Sequence, residues 1–189
     1  MKKMFLFIFI ALFLTACGAK ENIDTGTSEP LPPAKAEATQ GDFIYKLSSE
    51  KDVYDEFGDI AVFAEITYIG EMDSIDIYHS ASPFSFPFEE RTRGFTVDYA
   101  MNEPLIVTTL ERGITFRQNY EFAGGYSDTD DEVYVDFVET VINEGFPEGE
   151  YIIHGIADFW TEDPAEAADN QKVYLKADIG FNVVKPGNR

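Results

Sequence analysis

The chain offers few side chains that could act in catalysis. It contains two histidines, His79 and His154, and either could serve as a general base, or both could ligate a metal if the fold brought them together. His79 lies beside two serines and His154 lies within an alternating apolar pattern, so we expect both to be hydrogen-bonded or surface residues. The sequence therefore does not indicate a full catalytic set.

Two carboxylates beside aromatic residues are the best enzymatic candidates. Asp158 and Glu162 flank Phe159 and Trp160, which is the single tryptophan. Glycoside hydrolases use two carboxylates, and sugar-binding sites often present aromatic faces. A secreted hydrolase that uses these carboxylates is one alternative. The other is that Trp160 is a core or strand-end residue, which is what we expect.

An acidic run follows Gly124 and Gly125. Calcium takes 6 to 8 oxygen ligands, so such a concentration of carboxylates could hold it. However, Val133 stands where an EF-hand loop counted from Asp128 needs glycine. We expect a solvated acidic loop, with no metal or other cofactor bound. The candidate ligands, if calcium did bind, are Asp128, Asp130, Asp131 and Glu132.

The long middle of the chain has arginine as its only basic residue. Guanidinium groups suit bidentate pairing with carboxylates, so we expect cross-strand salt bridges. The alternative is a site for an anionic ligand, to which Trp160 could also contribute. The basic residues between Lys51 and Lys172 are Arg91, Arg93, Arg112 and Arg117.

The overall charge excludes one large class of function. The chain has 35 acidic and 14 basic side chains, for a net charge of −21. Nucleic-acid binders need clustered Lys and Arg to displace counterions from phosphate, so this class is excluded. The 44% of apolar residues is too high for a disordered acidic tail, which predicts one globular domain.

The first residues carry an export signal. Lys2 and Lys3 precede an apolar run, and the tetrapeptide Leu14-Thr15-Ala16-Cys17 follows it. This tetrapeptide resembles the lipobox of bacterial lipoproteins. The resemblance implies that residues 1–16 are a signal peptide and that Cys17 is lipidated. It also implies an anchor on the extracytoplasmic face of the cell membrane, which acyl chains such as palmitate make durable.

The rest of the chain divides into a tether and a domain. Residues 17–41 are rich in Ala, Thr, Glu and Pro without apolar periodicity, which predicts a flexible linker after the lipidated cysteine. Residues 42–189 form the predicted domain, and its short alternating apolar runs predict strands, among them 151–159 and 173–184. Residues 131–142 fit either a strand or a helix. The fold class predicted is a mainly β, antiparallel immunoglobulin-like sandwich of seven to eight strands, with a short helix as an open alternative.

The segment from Phe146 to Tyr151 refines this prediction. It resembles the Pro-x-Gly-x-Tyr entry to a late strand of bacterial immunoglobulin-like domains, and the resemblance implies that the Tyr151 hydroxyl bonds back to the chain. Residues 42–184 also resemble surface lipoproteins of Bacillus-type bacteria. They are similar, more distantly, to the immunoglobulin-like intracellular proteinase inhibitors of those bacteria.

Three phenylalanines, Phe84, Phe86 and Phe88, alternate with Ser85 and Pro87. They either complete the core or offer an apolar docking strip, and we expect the core. Taken together, the sequence predicts a lipid-anchored binding or interaction module of the cell envelope, without catalytic activity. Its partner would be an extracytoplasmic protein or ligand. The alternatives are a proteinase inhibitor and the hydrolase described above.

Overall fold

The computed structural model describes residues 29–166, 168 and 171–187. Two β-sheets pack face to face around an apolar core, and one short helix lies in the segment between Asn119 and Gly149. The predicted fold class, a mainly β antiparallel sandwich with one short helix, is confirmed, although the described residues form twelve strands where seven to eight were predicted, several of them only two or three residues long. The described strands are β1 (Lys35–Gln40), β2 (Phe43–Ser49), β3 (Val53–Asp55), β4 (Val62–Tyr68), β5 (Ser74–His79), β6 (Phe84–Ser85), β7 (Phe88–Glu90), β8 (Phe95–Val97), β9 (Ile106–Glu111), β10 (Thr115–Asn119), β11 (Gly149–Trp160) and β12 (Lys172–Val184).

The strands form a smaller first sheet and a larger second sheet. The first sheet has the order β1-β2-β4-β10, and the second has the order β3-β12-β11-β5-β9. β6 and β7 also pair with β11, and β8 pairs with β7. All described pairs are antiparallel except β12 with β3.

The two longest strands, β11 and β12, form the backbone of the second sheet. Their side chains alternate between the core and the outer face, because successive residues of a strand point to opposite sides. The odd-numbered positions from Gly149 to Phe159 are buried, and the even-numbered positions are half-buried. The outer face of β11 therefore carries Ile152 and Ile156 in a row with polar side chains and, at its end, Trp160.

Residues 131–142, which fitted either a strand or a helix, belong to the helix α1 (Glu132–Asn143). The Asp131 side chain accepts a hydrogen bond from the Val133 N–H and so caps the N-terminus. Phe137, Val138 and Val141 are buried at a helical spacing. The helix ends before Gly145, whose φ of +105° favours glycine.

The predicted linker is wrong for residues 35–40, which form β1 and pair with β2. Ala36 and Ala38 pack against the core, while Glu37 forms a 3.2 Å salt bridge with Lys46 of β2. Upstream of β1, the Pro33 carbonyl accepts a 3.4 Å hydrogen bond from the Gly180 N–H. The sandwich therefore includes residues before the predicted boundary at 42.

The segment that contains the three phenylalanines forms β6 and β7 beside β11. Pro83 and Pro87 lack an N–H to donate, so each only accepts a hydrogen bond through its carbonyl. The donors are the Asp158 and His154 N–H groups of β11, both at 2.9 Å. The phenylalanines are at most 1% exposed, which confirms the prediction that they belong to the core: Phe84, Phe86 and Phe88.

Candidate functional site

A cleft at the end of β11, with a volume of about 460 Å³, is lined by polar and aromatic side chains that could receive a ligand. β11 ends at Trp160, which pairs with Tyr78 of β5 on one side and with Lys172 of β12 on the other. Two residues earlier, Asp158 pairs with Tyr174. Because residues two apart on a strand share a face, these side chains meet on the outer face of the second sheet.

Lys172 connects the polar and aromatic parts of this cleft. Its ammonium lies 3.1 Å from the Asp158 carboxylate, 5.6 Å from the centre of the Trp160 ring and 5.9 Å from that of Tyr174. Both charged side chains are about 40% exposed, so water screens their attraction. The pair is locally neutral, and its remaining donors and acceptors face solvent.

The segment after β8 forms the opposite wall of the cleft, through Tyr99, Met101, Glu103 and Leu105. The Ser82 N–H contacts the Met101 sulfur at 3.2 Å, which fixes this segment against the loop after β5. Burial, with the nearby Glu121 carboxylate, raises the pKa of Tyr99. Tyr99 therefore stays neutral and can donate a hydrogen bond.

His79 borders the cleft, but its imidazole is already in use. The Nδ1 atom lies 2.8 Å from the Ser80 carbonyl, so Nδ1–H donates and Nε2 accepts from the Thr108 hydroxyl, also at 2.8 Å. Burial lowers the pKa of His79, although the hydrogen bond to the Ser80 carbonyl opposes this effect. His79 is therefore a neutral, hydrogen-bonded residue.

His154 lies elsewhere, on the outer face of β11. Its Nδ1 atom is 2.9 Å from the Asp178 carboxylate, and its Nε2 atom is 3.9 Å from that of Glu89. The two histidines therefore do not form one site. Both have hydrogen-bond partners, in agreement with the sequence analysis.

The two carboxylates considered for hydrolysis are separated by the structure. Asp158 lines the cleft, whereas Glu162 is exposed in the segment after β11 and is not among the lining residues. The other carboxylate that lines the cleft is Glu103, on the opposite wall. Trp160 is a half-buried strand-end residue, as expected, and it also lines the cleft.

The acidic run is used for local structure. The Asp130 carboxylate accepts a 2.7 Å hydrogen bond from the Ser127 N–H, and Asp131 caps α1. Glu132 lies in the first turn of the helix, and Asp128 is exposed. Within the described part of the chain, no group of three or more His, Cys, Asp or Glu residues is arranged to hold a metal ion.

The four arginines are dispersed and do not form a common site. Arg112 forms a salt bridge with Asp73 across the ends of β5 and β9, which is the cross-strand pairing that we expected. Arg93 instead pairs with Glu90, three residues before it in the chain. Arg117 also lies over the Phe63 ring, with its guanidinium carbon 3.4 Å from the ring centre. The nearest oxygen partners of the guanidinium groups are the Glu29 carbonyl for Arg91 (2.6 Å), the Glu148 carbonyl for Arg93 (3.0 Å), Asp73 for Arg112 (3.0 Å) and Glu50 for Arg117 (3.9 Å).

Sequence reasoning missed several residues of the cleft. These residues lie on other strands than Trp160: Tyr78 is on β5, and Lys172 and Tyr174 are on β12. Only the register between the strands brings them to Trp160. The alternating patterns of β11 and β12 carried part of this information, because they fix which residues face outward. The sequence alone did not say which positions of the two strands pair.

Comparison with models of known protein families and with curated proteins finds no match to this chain. The signal peptide, Cys17 and the first part of the predicted linker lie outside the described residues. Among the helices described, none is long and apolar enough to cross a membrane.

Proposed function

We propose that this protein is a lipid-anchored binding module, held at the extracytoplasmic face of a bacterial cell membrane, that engages its ligand at the cleft around Trp160. The observation that carries the proposal is the cleft itself. It combines exposed aromatic surface with an accessible pair of charged side chains, Lys172 and Asp158. Ligand sites commonly combine apolar walls with a few placed polar groups.

The position of the cleft suits display from an N-terminal anchor. The Glu29 carbonyl accepts from Arg91, and the Arg91 N–H donates to the Glu150 carbonyl near the start of β11. Trp160 ends the same strand, so about 30 Å of extended backbone separates this point of entry from the cleft. The chain that leads from an anchor upstream of residue 29 would therefore enter the sandwich at the end of β11 opposite the cleft.

The ionisable groups of the cleft favour binding over catalysis. Asp158 is paired with Lys172, and His79 is held neutral between Ser80 and Thr108. A general base needs a free position within reach of the reacting proton. These two groups already have partners, which leaves Glu103 as the other carboxylate in the lining of the cleft. A glycoside hydrolase needs a pair of carboxylates for the acid and base roles, so the cleft supports binding better than hydrolysis.

The anchor is tested by cell fractionation. We expect the native chain in the membrane fraction and the Cys17→Ala variant in the soluble fraction, since the lipid would be lost. Globomycin, which blocks the lipoprotein signal peptidase, should lead to accumulation of the uncut form. Trp160→Ala is the matched control and should stay at the membrane. Membrane association that persists unchanged in Cys17→Ala would contradict the proposed anchor.

Ligand binding is tested by fluorescence. Trp160 is the single tryptophan, so the intrinsic emission of the chain reports on this cleft. The native chain is titrated with envelope material that has been separated into glycan, protein and lipid fractions. We expect at least one fraction to shift the Trp160 emission, and the shift to saturate. If no fraction does so, the cleft is not the ligand site.

A further inference from the structure

We propose that the ligand of the cleft is a carbohydrate, specifically a chain of neutral sugars that lies across the outer face of the second sheet. This inference rests on the proposed function, because it names the class of ligand for the same site. It is drawn from the placement of three aromatic rings, the neutrality of one ion pair and the hydrogen bonding of β11.

The aromatic rings come from three adjacent strands. Tyr78 on β5 pairs directly with Trp160 on β11, and Tyr174 on β12 lies diagonally across from Trp160. Directly paired residues of neighbouring strands are about 5 Å apart, and diagonal ones about 7–8 Å. Tyr174 is 44% exposed, and Tyr78 and Trp160 are half-buried, so a ligand can reach their rings. The C–H face of a pyranose ring stacks on such surfaces.

The polar groups of the cleft suit hydroxyl groups. Asp158 supplies acceptor oxygens and Lys172 supplies N–H donors, and a sugar hydroxyl can both donate and accept. Hydrogen bonds that involve a charged group are stronger than neutral ones, so each hydroxyl contact would contribute to orientation. Asp158 and Lys172 neutralise each other at 3.1 Å, and the remaining charge of the lining, Glu103, is negative, so the cleft offers no unpaired cation to an anionic ligand.

The backbone of β11 excludes a different mode of binding. An extended peptide adds to a sheet through free backbone groups at an edge. β11 is hydrogen-bonded on one side to β12 and on the other to β5, β6 and β7. A ligand on this face must therefore be recognised by side chains. A glycan suits this arrangement, because its sugar rings can stack on the aromatic side chains and its hydroxyl groups can bond to the polar side chains beside them.

The test is calorimetric titration of the mature chain, kept soluble by Cys17→Ser. The probes are soluble β-1,4-linked oligomers of glucose and of N-acetylglucosamine, with polygalacturonate as the anionic comparison. We expect saturable binding of at least one neutral oligomer that changes little in 0.5 M salt, because few charges are involved.

The variants locate the site. Tyr174→Ala removes an exposed ring without disturbing the core, and we expect it to weaken binding about tenfold. Trp160→Ala should weaken binding at least as much, with its folding checked by circular dichroism. Tyr126→Ala is the matched control, because Tyr126 is a 45% exposed tyrosine outside the cleft, and it should bind as the native chain does.

The outcomes separate this inference from the proposed function. If no oligomer binds while a protein or lipid fraction shifts Trp160 emission, the carbohydrate assignment is wrong and the binding function stands. If nothing shifts this emission, both are wrong. Preference for polygalacturonate, or sugar binding that survives both cleft variants, also overturns the assignment.

Discussion

The Tyr151 hydroxyl donates a 2.8 Å hydrogen bond to the Pro147 carbonyl, across the turn that begins β11. The Tyr151 ring also stacks on Phe181 of β12, with their centres 5.6 Å apart. Burial raises the pKa of Tyr151, with a further contribution from the Glu90 carboxylate, so the hydroxyl remains a donor. This contact ties the turn to the strand that carries the cleft.

We expect Tyr151→Phe to lower the free energy of unfolding by about 1–2 kcal/mol, because the buried Pro147 carbonyl loses its donor while the ring is retained. Urea denaturation of the two proteins measures the difference. Tyr174→Phe is the control, since the Tyr174 hydroxyl makes no hydrogen bond within the described residues, and its stability should match that of the native chain. Equal stability of Tyr151→Phe and the native chain would show that the bond contributes nothing.

Glu90 is a fully buried carboxylate at the end of β7, next to the turn that follows. Its oxygens accept from the Thr92 N–H at 2.9 Å and the Arg93 N–H at 2.7 Å, and the Arg93 guanidinium lies 3.4 Å away. We expect Glu90→Gln to cost about 1–3 kcal/mol of stability, because an amide cannot replace every acceptor contact of the carboxylate. The exposed Glu37, paired with Lys46, provides the control. Its Gln variant should cost less than about 1 kcal/mol.

His79 makes the stability of the fold depend on pH. Because burial lowers its pKa below the ordinary value of 6.5, the unfolded chain binds the proton more readily than the folded chain. The contribution of neutral His79 is therefore complete above about pH 6.5 and declines as the pH falls towards the lowered pKa. We expect the urea midpoint to fall between pH 7.5 and 5.5, and to fall less in His79→Gln. His154→Gln is the control, and it should leave unchanged the part of the fall in urea midpoint that arises from His79.

The Tyr45 hydroxyl is buried, and it has no hydrogen-bond partner among the described residues. A methyl group added at Gly155 would lie 2.5 Å from this oxygen. We expect Gly155→Ala to destabilise the fold by about 1–3 kcal/mol through overpacking. Tyr45→Phe should be neutral or stabilising, because it removes a polar group that burial disfavours.

Combining these two substitutions provides the check. In a double-mutant cycle, Tyr45→Phe should relieve part of the Gly155→Ala penalty, with the Leu47 side chain accounting for the rest. Additive effects would mean that the two sites do not interact. A clear loss of stability in Tyr45→Phe alone would mean that the hydroxyl has a partner.

Asp131 caps α1, so Asp131→Ala should lower the free energy of unfolding by about 1 kcal/mol. Asp128→Ala, an exposed change in the same loop, is the matched control and should be close to neutral. Because these carboxylates serve local structure, we expect the melting temperature to be the same in millimolar calcium and in chelator. A calcium-dependent rise would indicate a bound ion, since a ligand of the native state stabilises it.

The alternation of inward-facing apolar residues with outward-facing residues was the most informative signal in the sequence. It predicted β11 and β12 because each keeps one face in the core over a dozen residues, which few other conformations allow. The Tyr151 contact was also predicted, since the Pro-x-Gly-x-Tyr pattern is local. By contrast, β1 was missed because Ala36 and Ala38 are too small to mark an apolar face, and nearby prolines resemble those of a linker.

The candidate site was predicted only in part, because it depends on register. Trp160 and Asp158 were identified from their own neighbourhood in the sequence. Lys172 and Tyr174 were not, because nothing local says which residues of β12 lie beside them. The burial of Glu90 was equally out of reach, since a carboxylate is expected to be exposed unless its turn supplies donors.

The direction of β1 has a mechanical consequence. Lys35 lies at the end where the chain enters, and Gln40 reaches the cleft end, where its side chain bonds to the Lys172 carbonyl and the Tyr174 N–H. Force between an anchor before Glu29 and a ligand held at Trp160 would run along the axis of β1. The six residue pairs that join β1 to β2 would then resist in shear, all at once, instead of opening one by one.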